Sequence, residues 1–141
     1  MSQNLTILIV DDNVNLAQGF AKVLTGAGYA AHTAYTAEEG LRLAQVHCPD
    51  AIILDIRMPF VNGVGFLYRL RAQAAHRHTP VMVLTGASVN EEMRAELSDL
   101  RALLRFKPLG MAELLAETRL LLSHDWAGPV DRAGASSSFV A

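Results

Sequence analysis

The sequence contains a single cysteine, Cys48, and its 12 lysines and arginines are balanced by 14 acidic residues. One cysteine cannot form an internal disulfide, which fits a reducing compartment. The formal net charge of −2 gives no global attraction to nucleic acid or to an anionic membrane. No apolar run approaches the ~20 residues that cross a bilayer, and residues 1–10 do not have the form of a signal peptide. We therefore expect a cytoplasmic protein whose domain binds neither nucleic acid nor membrane.

Short apolar segments alternate with segments of helical periodicity. Runs rich in Ile, Val and Leu occupy residues 5–10, 51–54 and 81–84, as expected for strands buried on both faces of a parallel sheet. Residues 30–34 are a weaker strand candidate, in which His32 indicates a position nearer the sheet edge. Apolar spacing and capping signals predict helices over about residues 14–24, 36–47, 64–74, 90–97 and 111–123.

This alternation of strand and helix predicts an α/β fold with a doubly wound parallel sheet of five strands and helices on both faces. The fifth strand, over residues 101–106, contains no β-branched residue. We predict it because the alternation requires a strand at that point. The predicted domain spans residues 1–123. Residues 124–141 contain a Gly-Pro pair and three consecutive serines, which indicate a flexible tail or the stub of a linker.

Polar residues follow the apolar strands where each strand is predicted to end. Asp11 and Asp12 follow the first strand, Asp55 the third, Thr85 the fourth and Lys107 the fifth. The carboxyl ends of parallel strands lie at one edge of the sheet, so these side chains should meet in one pocket. Carboxylates held close together repel unless a cation neutralises them, and oxygen ligands of this kind suit Mg²⁺. A lysine and a hydroxyl beside them supply what a bound phosphoryl group needs.

Each of these residues also has an ordinary explanation when it is taken alone. An aspartate that follows a strand often caps the next helix, and Asp55 could belong to a turn. Thr85, before Gly86, could cap a loop, and Lys107 could be a surface lysine. Their occurrence in order at successive strand ends favours a single site. Arg69 and Arg71 have the spacing of an ordinary solvated helix face, and His76 and His78 lack the neighbours of a metal site.

Four runs resemble, in order and spacing, the signatures of the receiver domains of bacterial response regulators: residues 8–12, 53–59 with Asn62 and Gly63, 83–86, and 106–108. The resemblance covers about residues 5–123. It implies a flavodoxin-like sheet with strand order 2-1-3-4-5. It also implies a domain of a two-component or phosphorelay system that receives a phosphoryl group from a histidine kinase or a histidine phosphotransfer protein.

Particular roles follow from the resemblance. Asp55 would be the phosphoacceptor, Thr85 would donate its hydroxyl to the phosphoryl group, and Lys107 would pair with the phosphoryl oxygens. The Lys107–Pro108 peptide bond would be cis.

The resemblance also implies a Mg²⁺ site. Asp12 would bind the ion directly and Asp11 through water, together with Asp55 and the backbone carbonyl of Arg57.

Two features depart from the family pattern. Leu104 occupies the position, three residues before Lys107, where the family usually has Tyr or Phe. Residues 100–102 replace the Gly-Ala that usually opens the fifth strand. We therefore expect the structural change on phosphorylation to be muted, or to pass through the loop after Thr85 and the helix over residues 89–99.

The leading interpretation is a stand-alone phosphoreceiver that signals to an unknown protein target by protein–protein contact. One alternative is the N-terminal receiver of a longer transcription regulator or hybrid kinase, and another is a receiver-like adaptor that works without phosphorylation. An aspartyl phosphatase would place an acid two residues after its nucleophile, where this sequence has Arg57. We expect no enzyme activity beyond self-phosphorylation and slow self-dephosphorylation.

Overall fold

The computed structural model describes residues 4–56, 63–86 and 88–123. Strands and helices alternate along the chain, and a short 3₁₀ helix at Ala74–His76 precedes the fourth strand. The elements are β1 (Thr6–Val10), α1 (Val14–Gly26), β2 (Ala30–Ala34), α2 (Ala37–His47), β3 (Ala51–Leu54), α3 (Gly63–Ala72), β4 (Val81–Thr85), α4 (Glu91–Asp99), β5 (Ala102–Phe106) and α5 (Met111–Leu122).

The five strands form one parallel sheet in the order β2-β1-β3-β4-β5. Both the predicted fold class and the strand order implied by the family resemblance are therefore confirmed. β3 lies at the centre and β2 at one edge, where its histidine-containing sequence predicted it. Since every strand runs in the same direction, the carboxyl ends of all five lie along a single edge of the sheet.

Alternate residues of each strand enter two separate cores. Leu8 and Val10 of β1 pack on the face covered by α2, α3 and α4, whereas Ile7 and Ile9 pack on the face covered by α1 and α5. This is the period-two alternation of a strand that is buried on both sides. It explains why the sequence of β1 is an unbroken apolar run.

β5 forms although its local sequence would suit a helix. Leu100 ends α4, and Arg101 adopts the left-handed conformation with φ of 58°, which stops the helix and turns the chain. Ala102–Phe106 then pairs with β4 along its whole length. Tertiary pairing thus outweighs local propensity, and the predicted fifth strand is confirmed.

Arg71 corrects the prediction of a solvated helix face. Its guanidinium group is partly buried and donates hydrogen bonds to the carbonyls of four residues: His76 at 3.0 Å, Thr79 at 2.6 Å, Leu100 at 2.9 Å and Arg101 at 3.4 Å. These carbonyls belong to the segments that lead into β4 and β5. Arg69, two residues earlier, is exposed as expected.

His76 is a buried core residue with two hydrogen-bonding partners. Its Nε2 lies 3.0 Å from the carbonyl of Ala44 in α2, and its Nδ1 lies 2.8 Å from the hydroxyl of Thr79. The carbonyl only accepts, so Nε2 carries the proton and Nδ1 accepts from Thr79. The ring joins α2 to the segment before β4, which agrees with the expectation that it is not a metal ligand.

Several predictions concern residues outside the described ranges. They include the turn signals at residues 58–62, the backbone carbonyl of Arg57 and the tail at residues 124–141. The domain boundary at residue 123 therefore stays a prediction. Among the helices of the described ranges, none is both long enough and apolar enough to span a membrane.

Candidate functional site at the carboxyl edge of the sheet

The predicted site residues lie at the carboxyl ends of four strands. Asp11 follows β1, Asp55 follows β3, Thr85 ends β4 and Lys107 follows β5. Their backbones continue the sheet pairing: Asp55 N donates to Val10 O at 2.9 Å, and Lys107 N donates to Thr85 O at 2.9 Å. The main chain of the site is therefore held by the sheet itself.

Three carboxylates converge at this edge. Asp11, Asp12 and Asp55 each offer an oxygen, and these oxygens lie within 4.8 Å of one another. Asp11 and Asp55 are buried, whereas Asp12 is exposed. A cluster with two buried members and one open side suits a hard cation that keeps part of its water shell, as Mg²⁺ does.

Lys107 reaches across the edge to two of these carboxylates. Its Nζ lies 3.0 Å from Oδ2 of Asp11 and 3.3 Å from Oδ2 of Asp55. Among the described residues, this one ammonium group thus pairs with two of the three clustered carboxylates. The Lys107–Pro108 peptide bond is cis, as the family resemblance implied.

Burial and charge shift the pKa values of this pair. Burial raises the pKa of Asp11; the hydrogen bond from Asn13 N and the Lys107 ammonium oppose this only in part, and the Asp55 carboxylate adds to the rise. Burial lowers the pKa of Lys107, but the hydrogen bond and charge of Asp11 and the charge of Asp55 outweigh it, so this pKa is raised overall. The lysine is therefore held protonated, and the Asp11 carboxylate is costly in the absence of a further cation.

Thr85 is fully buried beside the site. It is paired in register with Phe106, the residue directly before Lys107. Thr85 is thus joined to the lysine by the backbone hydrogen bond from Lys107 N to Thr85 O.

Gly63 allows the chain to pass close behind Asp55. Its N–H donates to Ile56 O at 2.9 Å. A Cβ atom at this position would lie 2.5 Å from Cα of Ile56 and 2.9 Å from Asp55 O. These distances are too short for any side chain, which gives a steric reason for glycine in the Asn62-Gly63 pair.

The structure decides one alternative that the sequence left open. The N-cap of α1 is Asn13, whose side chain accepts a hydrogen bond from Leu16 N at 3.1 Å. Neither Asp11 nor Asp12 caps this helix, and Asp11 instead accepts from Asn13 N at 2.9 Å. The sequence analysis missed Asn13, although an asparagine directly before an apolar helical stripe is a strong capping signal.

Comparison with known proteins agrees with this geometry. The family described as the response regulator receiver domain matches residues 7–119. The match covers most of the chain, so the chain belongs to the response regulator receiver domain family. It is a receiver domain of two-component signalling, a class of signalling proteins rather than classical enzymes.

Individual relatives show the same likeness. The chain is 35% identical over 116 residues to the response regulator ArlR of Staphylococcus aureus, a match that covers 82% of this chain and 52% of that protein. It therefore spans about half the length of the curated relatives it matches.

Among solved structures, the chemotaxis response regulator CheY4 of Vibrio cholerae has a TM-score of 0.78 at 30% identity, covering 85% of this chain and 100% of that one. A putative response regulator of Chloroflexus aurantiacus has a TM-score of 0.75 at 30% identity, covering 85% and 98%.

Proposed function

We propose that Asp55 is the phosphoacceptor of this receiver domain and takes its phosphoryl group from a phosphohistidine. The observation that carries the proposal is the position of Asp55 at the end of the central strand. There it is within 4.8 Å of two other aspartates and 3.3 Å from the Lys107 ammonium. The phosphohistidine would belong to a histidine kinase or a histidine phosphotransfer protein.

In the proposed reaction a carboxylate oxygen of Asp55 attacks phosphorus. The phosphorus–nitrogen bond of the donor breaks, and its electron pair returns to the imidazole. Lys107 already faces Asp55, so its ammonium group is placed to offset the charge on the transferred phosphoryl oxygens. Thr85, at the end of the neighbouring strand, would donate its hydroxyl to one of these oxygens.

Asp12 and Asp55 would hold Mg²⁺ directly, and Asp11 would hold it through water, with the backbone carbonyl of Arg57 as a further ligand. When bound, Mg²⁺ supplies positive charge that offsets both the clustered carboxylates and the phosphoryl oxygens. The excess of carboxylates over lysine at this edge, and the raised pKa of Asp11, support the fit of a divalent cation.

An apolar groove beside the site offers a place for the phosphodonor to dock. Its walls come from α1 and from the segment between Lys107 and α5, both of which begin a few residues from the site. Its apolar lining includes Leu16, Phe20, Leu109 and Met111, and Met111 is 70% exposed. We propose that the helix carrying the phosphohistidine packs here, which would bring its imidazole toward Asp55.

The downstream partner is proposed to be a protein bound by direct contact in the cytoplasm. Residues 1–123 would form the receiver and residues 124–141 a tail or linker. Because the chain spans about half of its curated relatives, the N-terminal receiver of a longer regulator is the second candidate. The phosphorylation-independent adaptor is less favoured, since all four strand ends carry the residues of a phosphorylation site.

The proposal is tested by incubating the protein with Mg²⁺ and acetyl phosphate and measuring its intact mass. We expect the addition of one phosphoryl group, with acetate released, and its loss both in Asp55→Ala and under chelation. Asp99→Ala, which removes an exposed carboxylate at the end of α4, is the matched control and should be modified like the wild type. Phosphoryl addition that persisted in Asp55→Ala would assign the acceptor elsewhere. A folded wild type that bound Mg²⁺ but accepted no phosphoryl group, even from a phosphohistidine donor, would favour the adaptor.

A further inference from the structure

Two loops at the amino end of the sheet are held side by side by Arg71. The first loop, residues 77–80, precedes β4, and the second, residues 100–101, joins α4 to β5. The guanidinium group of Arg71 donates to a carbonyl in each of them, at 2.6 Å to Thr79 O and at 2.9 Å to Leu100 O. This shared donor fixes the spacing of the two loops, so the side chains that they carry are presented together.

Two basic side chains, one from each loop, meet at the surface. Nη1 of Arg101 lies 3.3 Å from Nδ1 of His78, and both residues are exposed. A guanidinium group only donates hydrogen bonds, so Nδ1 accepts and the proton of the neutral ring lies on Nε2. Within the described ranges, neither side chain has another hydrogen-bonding partner. The Nε2–H of His78 and further N–H groups of Arg101 can therefore donate to an external acceptor.

The arginines of these loops have no carboxylate partner in the described part of the chain. Arg101 and Arg77, a second exposed arginine of the first loop, form no ion pair there, although Asp99 is only two residues before Arg101. The charge of Arg101 acts instead on another cation. Burial and then this charge lower the pKa of Arg71 to about 10. Like charges are thus held close together without a counter-ion to offset their repulsion.

The turn between α4 and β5 does not explain why residue 101 is an arginine. Its φ of 58° lies in the left-handed region, which glycine adopts readily and a residue with a side chain adopts at a cost. Arg101 serves the turn through its backbone, whose carbonyl accepts from Arg71 at 3.4 Å. Glycine would supply the same carbonyl without strain, and the family usually has Gly-Ala where this chain has residues 100–102. The position therefore keeps a strained, charged side chain that folding does not require.

We propose that Arg101, His78 and Arg77 form a docking surface for an acidic segment of a partner protein. Carboxylates of this segment accept hydrogen bonds from the guanidinium group of Arg101 and from Nε2 of His78, and Arg77 adds positive charge. The surface fits a few carboxylates better than the long polyanion of a nucleic acid, because the chain has a net charge of −2 and clusters three aspartates at the other end of the sheet. This docking is separate from the proposed chemistry of Asp55 and does not depend on it.

The test is an NMR titration of the ¹⁵N-labelled protein, without Mg²⁺, with an acetylated and amidated hexaglutamate peptide. In the wild type we expect shifts at the amides of residues 77–79 and 100–102 and at the side-chain Nε–H of Arg101. These shifts should shrink when sodium chloride is added. Arg101→Gly removes the charge and relieves the left-handed strain, so it should melt at or above the temperature of the wild type. Its affinity for the peptide should fall by about threefold to tenfold.

Two further variants separate the surface from a general effect of charge. His78→Ala, at an exposed position, should also weaken peptide binding. Arg119→Gln is the matched control, because it removes one exposed arginine from α5, which packs on the other face of the sheet. It should bind the peptide with an affinity within about twofold of the wild type. Arg101→Gly and His78→Ala should both still accept a phosphoryl group from acetyl phosphate in the presence of Mg²⁺.

Peptide-induced shifts that are absent from the wild type, or that are unchanged in both Arg101→Gly and His78→Ala, would overturn the docking surface and leave the proposed function intact. An equal loss of affinity in Arg119→Gln would also overturn it, because net charge alone would then explain the binding. Tighter binding of a short DNA duplex than of the peptide would replace the acidic protein partner by nucleic acid. A wild type that bound the peptide as expected but accepted no phosphoryl group from any donor would support the surface and overturn the proposed function.

Discussion

The two ends of the sheet differ in the groups that surround their charged side chains. At the amino end, the partly buried guanidinium of Arg71 donates hydrogen bonds to four neutral carbonyls. At the carboxyl end, three carboxylates lie close together, and the ammonium group of Lys107 pairs with two of them. Carbonyl dipoles thus solvate the cation at the first end, whereas at the second end the described carboxylates outnumber the lysine that pairs with them.

This contrast separates the part of the sheet that stabilises the fold from the part that sacrifices stability for function. Burial, followed by the nearby charge of Arg101, lowers the pKa of Arg71 to about 10, yet its hydrogen-bond donors remain engaged. Burial raises the pKa of Asp11, and a neighbouring carboxylate adds to the rise. A loss of folding stability of this kind is expected at positions where the residue type is selected for binding or chemistry rather than for folding.

The largest expected effect on stability comes from removing the Arg71 guanidinium at the amino end of the sheet. Arg71→Met keeps much of the aliphatic length but leaves partly buried carbonyls without a donor, so we expect a loss of about 2–4 kcal/mol in the free energy of unfolding. Urea denaturation followed by circular dichroism measures the loss. Arg69→Met, an exposed position on the same helix, should change stability by no more than about 0.5 kcal/mol. Equal losses in the two variants would contradict the assigned role of Arg71.

The second prediction concerns the charge at the carboxyl end. Asp11→Asn keeps an oxygen to accept from Asn13 N and removes one of the crowded charges, so the Mg²⁺-free protein should gain about 1–2 kcal/mol in unfolding free energy at pH 7. Because the pKa of Asp11 is raised in the folded state, the stability gained by Asp11→Asn should increase with pH. The cost of the Asp11 charge grows as pH rises from 3.8 through the folded pKa. The stabilities of the two proteins should therefore be closest near pH 3.8, separate as pH rises toward the folded pKa, and differ by a constant amount above it.

Two readouts sharpen this second prediction. Asp12→Asn alters the exposed carboxylate of the same cluster and should stabilise the protein less, because solvent already screens that charge. Mg²⁺ should stabilise the wild type more than Asp11→Asn, since the variant presents less negative charge to the ion. A variant less stable than the wild type at pH 7 without Mg²⁺ would show that the charge excess carries no folding cost.

The smallest expected effect on stability comes from His32, on the edge strand β2. The rings of His32 and His47 stack with their centres 3.7 Å apart. Burial and the charge of His47 lower the pKa of His32 below its ordinary value of 6.5. The unfolded chain then binds the proton more readily, so stability is lost as pH falls below 6.5 toward the folded pKa. Thermal melts should show His32→Gln losing less stability than the wild type between pH 7 and 5, by about 2 °C or less. An unchanged pH dependence would exclude the stack as its source.

Most of the fold could be predicted because strand ends, caps and apolar runs are local signals. The fifth strand needed a wider argument, since Ala102–Phe106 has the composition of a helix and is fixed by its pairing with β4. The partners of Arg71 could not be predicted from periodicity, because Leu100 and Arg101 are about 30 residues away in the chain. α3 ends at Ala72, two residues before its predicted end, and the separate 3₁₀ helix Ala74–His76 follows it.

For the site, the convergence of four strand ends could be predicted, because parallel topology alone brings them together. The cis bond at Lys107 came from family resemblance and not from residue chemistry. The capping role of Asn13 was readable from its place before an apolar helical stripe, but Asp11 and Asp12 offered competing candidates that only the structure excludes.

The backbone hydrogen bonds from Asp55 N to Val10 O and from Lys107 N to Thr85 O have a consequence for how this protein can diversify. The reacting groups depend on the central sheet, whereas the surfaces that would recognise other proteins lie on helices and on the loops after the strands. Substitutions on those surfaces can exchange one partner for another without disturbing the main chain of the site. A duplicated copy of the gene could thus be rewired to a new signalling route while it inherits the same chemistry.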